Sequence, residues 1–405
     1  MVEIWLPYGA SEVPARIPEE RLVDILRPKK SENVLNPAEE MEHLTESSPE
    51  FLDAAKGGER ICLVLGPSSN RQLASTLAGA LVERLRAGGV SLSSITILRT
   101  KDAPELDQTL LSDVRIVLHN QVSSTVVPMK DSKCDFPLSL NSTFAEADFR
   151  ILLGELKPHH FLGYSGLSDI VFPGLASRES AMSQLSDRKQ VEVSDLYMER
   201  VDVANMFKNL FALGYVLDAD LSPVKITLAS LQSCLRDLVK VMRDVCLRKV
   251  DRTADIVVMS AGGKPSDESL LAAADTLPAA VPALKRGGVL ILAAECPLGH
   301  GDTEFYQWCA EHKEPRYLEA RLKHNFNYQG FKAAFLLRTL ESHRIYLVST
   351  IPDHYVQNVF AMRAAPTINS ALQTVQHSLG SDSTISVIPD ATRVTLTRAE
   401  SDDIT

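Results

Sequence analysis

Residues 61–89 read ICLVLGPSSNRQLASTLAGALVERLRAGG, and this stretch decides the fold class. Its first five residues are apolar without a polar alternation, the pattern of a strand buried on both faces. From Leu73 to Ala87 apolar residues recur at three- and four-residue spacing, which predicts a helix, and Gly88-Gly89 supplies its C-terminal stop. A buried strand, a tight loop and a helix make half of a βαβ unit. Moving outward, short apolar runs at 94–98, 114–119, 149–153, 211–217, 254–259, 288–293, 343–348 and 385–388 have the same character, and helical patterns lie between most of them. The longest helical pattern spans 228–249. The chain is therefore expected to be α/β with mostly parallel sheets.

A length of 405 residues, 45% of them hydrophobic, favours two cores over one. The best boundary is the arginine-bearing stretch 248–253, after the long helix and before a fresh βαβ pattern that starts with ADIVVM. The expected units are residues 1–250 and 251–405, facing each other across a cleft, with the last strand able to return to the first unit. The polar end, 398–405, is expected to fray.

Composition narrows the function. A formal charge of −10 argues against a nucleic-acid binder, and the one basic cluster, 236–252, is broken by acids like the solvated face of a helix. The six cysteines lack metal-site spacing, and Cys62, Cys234 and Cys246 fall in core patterns, so no catalytic thiol is expected. There is no signal-peptide pattern at the start and no apolar run of membrane-spanning length, which predicts a soluble, cytoplasmic protein.

Open α/β sheets bind ligands beyond the carboxyl ends of their strands, so the loops there are the places to search. GPSSNR (66–71) offers Ser68, Ser69 and Arg71 to an anion, although it serves equally as a helix cap. LKPHHFLGYSGLSD (156–169) holds His159, His160, Tyr164, Ser165 and Asp169. Its adjacent histidines can serve proton transfer or bind metal, or simply point one inward and one outward. SAGGKPSDES (260–269) is a glycine turn before a helix, and AECPLGHGDTEFY (294–306) sets His300 between two glycines. If His159, His160 and His300 converge, a zinc or iron site becomes possible. No metal-ligand set is assigned from the residues themselves.

Eight blocks occur here in a characteristic order: LPYG (6–9), HHFLGYSG (159–166), VFPGLAS (171–177), YVLDAD (215–220), SAGGKPSD (260–267), GHGDTEFY (299–306), GFKA (330–333, including Lys332) and VIPD (387–390). In this order the chain resembles the nickel-dependent lactate racemase family over nearly its whole length. The resemblance implies two α/β domains with the active site between them. It also implies a nickel pincer nucleotide tethered through a thioamide to a lysine, with hydride leaving the substrate α-carbon and returning to the opposite face.

Carried over by position, the family's tethering lysine falls at Asp169 and its nickel histidine at Leu185. One catalytic histidine matches His159. The loop of the other reads RTKDAPEL (99–106) and has no histidine. Arg71 stands for the carboxylate-anchoring arginine if the register slips by one, and the family's downstream glutamine and lysine fall at Ala272 and Asp275. A carboxylate cannot form the thioamide tether, and a buried Asp169 facing a cofactor phosphate would repel it.

The resemblance thus predicts a relative of 2-hydroxy acid racemases and epimerases that has lost the standard cofactor site. If catalytic it would be an isomerase, with His159 as acid/base and Arg71 as anion anchor. The alternatives are a non-catalytic binding protein for a small carboxylate or a nucleotide, or a partner of an intact racemase.

Overall fold

The computed structural model describes residues 1–106, 111, 113–185, 192–311, 314–380 and 382–398. Two six-stranded sheets carry the chain, as the alternation of buried strands and helices predicts. In the first sheet the strands run in the order Pro223–Ser230, Leu210–Leu217, Phe149–Glu155, Ile61–Leu65, Ile95–Arg99, Arg115–Leu118. All are parallel except Pro223–Ser230, which returns antiparallel along Leu210–Leu217. The second sheet is parallel throughout, in the order Arg363–Ala364, Arg344–Val348, Leu284–Ala293, Ala254–Ser260, Ile385–Ile388, Leu22–Ile25.

Each sheet is covered on both faces, which is why its central strands read as unbroken apolar runs. Along Ile61–Leu65 the odd residues pack with the helix Arg71–Ala87, while Cys62 and Val64 pack with Leu167, Ile170 and the helix Leu231–Cys246. That second helix turns Arg236, Lys240 and Arg243 to solvent, as the charge pattern predicts. All six cysteines are free thiols. Burial pushes Cys62, Cys234 and Cys246 up to about 12, which keeps them protonated and unreactive. Among the described residues no helix is long and apolar enough to cross a membrane.

The expected division at residue 250 needs correction at the amino-terminal end of the chain. Strand Leu22–Ile25 is the edge strand of the second sheet, and the hairpin Val2–Tyr8/Ser11–Ile17 lays Leu6, Ala15 and Ile17 against that sheet's face. These first residues belong with the second unit. They escape the sequence reading because the hairpin carries prolines in both strands and the edge strand is only four residues long. The last strand, Thr395–Arg398, joins neither large sheet and pairs in parallel with Leu247–Val250, where the chain passes between the units. Of the end expected to fray, 398–405, Arg398 closes that strand and donates to the Pro282 and Leu284 carbonyls, while 399–405 lie outside the described residues.

The two units meet through an aromatic cluster. Leu162, Tyr197 and Leu196 from the first pack with Phe326 and Tyr328 from the second, and Phe161 sits edge-on to Phe331 and Phe335 at 5.0 and 5.2 Å. Arg393 adds a polar latch. Its buried guanidinium donates to the Asp218 carbonyl and lies 3.9 Å from the Glu155 carboxylate, both on the first unit.

Candidate functional site

Strand order reverses between Ile61–Leu65 and Phe149–Glu155 in the first sheet, and between Ala254–Ser260 and Ile385–Ile388 in the second. Such reversals splay the following loops apart and open a crevice. Here the two crevices face each other. Their loops enclose a cavity of about 490 Å³ reached by Ser68, Ser69, Arg71, Lys157, Lys264 and Thr392. A second cavity of about 410 Å³ adjoins it, with His119, Glu155, Lys157, Ser165, Asp169 and Arg200 in its wall. A third, of about 200 Å³, holds His159, His160, Ser165, Ser266, Asp275 and Thr392.

The GPSSNR loop is both cap and cavity wall. Asn70 accepts from the Leu73 N–H at 2.9 Å and so caps the helix Arg71–Ala87. Ser68 donates to the Asn70 carbonyl at 2.8 Å and accepts from the Tyr215 hydroxyl at 2.7 Å. The Ser69 N–H donates to Glu155 at 2.6 Å. The loop's polarity is therefore largely spent on holding its own shape. The Arg71 side chain is exposed and extends into the larger cavity.

The histidine segment forms a short hairpin, Lys157–His159 paired with Gly163–Ser165. Gly166 ends it at φ 138°, where a Cβ would stand 2.3 Å from the Glu155 carbonyl oxygen, so only glycine fits. His159 Nδ1 accepts from the Phe161 and Leu162 N–H groups, both at 3.3 Å. Burial lowers its pKa to about 4, with Asp275 opposing and Arg200 and Lys332 assisting. The ring is neutral at pH 7, and with Nδ1 accepting, its proton sits on Nε2. His160 points to the other unit and donates from Nε2 to the Ala391 carbonyl at 2.7 Å. Burial lowers its pKa as well. Tyr164 rests edge-on against Tyr197 at 4.4 Å, and Ser165 lines two of the cavities.

Asp169 faces Arg200, whose Nη1 stands 3.3 Å from its carboxylate. The other carboxylate oxygen accepts from the Gly166 N–H at 3.2 Å. Burial raises the Asp169 pKa while Arg200 lowers it. Arg200 also reaches Gln184 at 3.4 Å, one residue before Leu185 at the end of the helix Arg178–Leu185. In the second unit, Lys332 donates to Asp275 at 2.7 Å and to the Leu271 carbonyl at 3.1 Å, and lies 4.7 Å from the Tyr328 ring centre.

His300 does not join the cavities. Its Nδ1 donates to the Asp302 carbonyl at 2.9 Å, while the carbonyls of Gly299 and His300 accept from Leu270 and Leu271 at the start of a short helix. Convergence of His159, His160 and His300 on a metal is therefore overturned. Among the described residues no group of three or more His, Cys, Asp and Glu side chains is placed to hold one.

Several cleft residues escaped the sequence reading. His119 ends a recognised strand, but its burial between the Ala176 carbonyl and the Asn141 amide, each at 3.1 Å, depends on tertiary neighbours. Arg200 and Arg393 sit in ordinary helical and turn contexts. Lys157 and Lys264 lie inside recognised loops, and only the facing sheets reveal that they share a cavity.

Two family models match the chain. The model of the lactate racemase N-terminal domain matches residues 8–189, and that of the lactate racemase C-terminal domain matches residues 250–396. The chain belongs to the lactate racemase family. Within that family it is 24% identical to the lactate racemase of Thermoanaerobacterium thermosaccharolyticum, covering 97% of this chain and 99% of the relative. It is 25% identical to the lactate racemase of Lactiplantibacillus plantarum, covering 96% and 98%. The lactate racemase apoprotein structure from T. thermosaccharolyticum shares the fold with a TM-score of 0.73, at 24% identity over 98% of this chain and all of that one. A structural-genomics protein from Thermotoga maritima matches at a TM-score of 0.60, with 14% identity over 89% and 98% of the two chains.

Proposed function

We propose that this member of the lactate racemase family binds a small hydroxy-carboxylate in its interdomain cleft and works without the tethered nickel pincer nucleotide. The observation that carries the reading is the Asp169–Arg200 pair. It stands where the resemblance puts the tethering lysine, and a carboxylate already matched by a guanidinium offers no amine for a thioamide. Leu185, where the resemblance puts the nickel ligand, has no donor atom. These residues do not fit the group.

What the chain does supply is recognition. Arg71 can anchor an anionic group of the ligand, since a guanidinium presents two parallel N–H donors. His159 presents a neutral Nε2–H to a hydroxyl. A ring whose pKa lies near 4 and whose Nδ1 is occupied is a poor base at pH 7, so its role is donor rather than proton acceptor.

A second reading, an isomerase acting on a 2-hydroxy acid, is favoured by one observation: His159, the catalytic position that the resemblance retains, lines the cleft beside Asp275. The two readings part on one preparation. The chain is produced together with the pincer-cofactor assembly enzymes, and its intact mass and nickel content are measured, followed by chiral chromatography after incubation with L- and D-lactate. Unmodified mass, no nickel and no inversion are expected. A covalent adduct with one nickel per chain would overturn the proposal and restore the family's own chemistry.

A further inference from the structure

Cations outnumber carboxylates where the loops of the two sheets face each other. Arg71, Arg99, Lys101, Lys157 and Lys264 line the 490 Å³ cavity against Asp102, Glu105 and Glu268, in a chain whose formal charge is −10. Lys101 is matched by Glu268 at 3.2 Å. Arg99 donates to the Ala103 carbonyl at 3.1 Å, and its Nε is buried without a partner among the described residues. Among the described residues no ion pair engages Arg71, Lys157 or Lys264.

These three cations, of which Lys157 lies close enough to Asp102 to lower its pKa, come from the segments that follow strands Ile61–Leu65, Phe149–Glu155 and Ala254–Ser260, so local sequence does not force them together. Like charges facing one concave space repel, and low-dielectric walls strengthen the effect. A ligand carrying a single carboxylate relieves only one of them. Lys157 is also shared by all three cavities, so it links the large one to the small one that holds His159.

We propose that the ligand is a phosphorylated hydroxy acid. Its dianionic phosphoryl group lies between Arg71 of the first unit and Lys264 of the second, and its hydroxy-carboxylate end extends toward Lys157 and His159. Three phosphoryl oxygens accept from more directions than a second carboxylate does, and the Ser266 hydroxyl, in the wall of both the 490 and the 200 Å³ cavities, adds a donor at their junction. This inference rests on the hydroxy-carboxylate reading and narrows it.

Isothermal titration of the full chain with 3-phosphoglycerate, glycerate, malate and inorganic phosphate tests it. The phosphorylated acid is expected to bind at least about tenfold more tightly than glycerate or malate, with the advantage shrinking as salt is raised. In Lys264→Met and in Arg71→Met that ratio falls to about twofold or less. Because the ratio is internal to each variant, a fold defect that weakens every ligand alike does not imitate the result. Glycerate or malate binding as tightly as 3-phosphoglycerate would overturn the phosphoryl assignment and leave the carboxylate reading standing. Inorganic phosphate matching 3-phosphoglycerate, or no binding by any of the four, would overturn both.

Discussion

The Arg200 guanidinium stands 3.3 Å from the Asp169 carboxylate, with side-chain exposures of only 10% and 19%. Removing one partner of a buried pair leaves the other charge uncompensated. Arg200→Met is expected to cost about 3 kcal/mol in urea unfolding, and Asp169→Asn in the same chain should return most of it. Equal stability of wild type and Arg200→Met would show the pair to be solvated.

The His159 ring has a folded pKa of about 4 against 6.5 in the unfolded chain. Between those values the unfolded state binds more protons, so stability falls as pH drops from 6.5 to 4 and is fully present above 6.5. The loss attributable to this ring is at most roughly 3 kcal/mol. His159→Gln should flatten that acid limb, as followed by thermal unfolding across the range.

Asp275 raises the His159 pKa and Lys332 lowers it, while the two are bonded to each other at 2.7 Å. Lys332→Met should move the His159 titration upward, and Asp275→Asn should move it further down. Histidine ring resonances followed by NMR against pH read both shifts, and shifts of the same sign in the two variants would contradict the arrangement.

Gly166→Ala places a methyl where the Glu155 carbonyl oxygen lies 2.3 Å away, at a φ that side chains rarely adopt. A loss of about 3 kcal/mol or more is expected from the clash and the strained backbone together. Gly163→Ala is the control, because its Cβ would meet nothing within 4 Å, leaving only the φ penalty of a left-handed residue, about 1–2 kcal/mol. Denaturant midpoints of the two variants should therefore separate clearly.

The sheets were legible because their central strands are continuous apolar runs. Ile385–Ile388 falls where the sequence predicts it, and the helix Arg71–Ala87 starts only two residues before its predicted span. The helical pattern at 228–249 hides a boundary instead. Strand Pro223–Ser230 runs straight into the helix Leu231–Cys246, with no glycine or proline between them.

At the cleft, three of the four candidate loops converge. The fourth fails because its glycines serve a turn behind the short helix at Leu270 rather than a binding surface. Arg200 and His119 carry no local signal at all. Arg200 meets Asp169 across 31 residues of chain, and His119 meets Asn141 across 22, distances that periodicity and motif spacing do not span.

The edge strand Leu22–Ile25 has a consequence for the order in which the protein is made. Its partner, Ile385–Ile388, leaves the ribosome roughly 360 residues later, a delay of about 20–70 s at ordinary rates of synthesis. During that interval the first unit has all of its own strands, while the amino-terminal segment waits with an unpaired edge. A strand synthesised early is thus among the last to dock, and residues 22–25 keep an unpaired edge until residues 385–388 arrive.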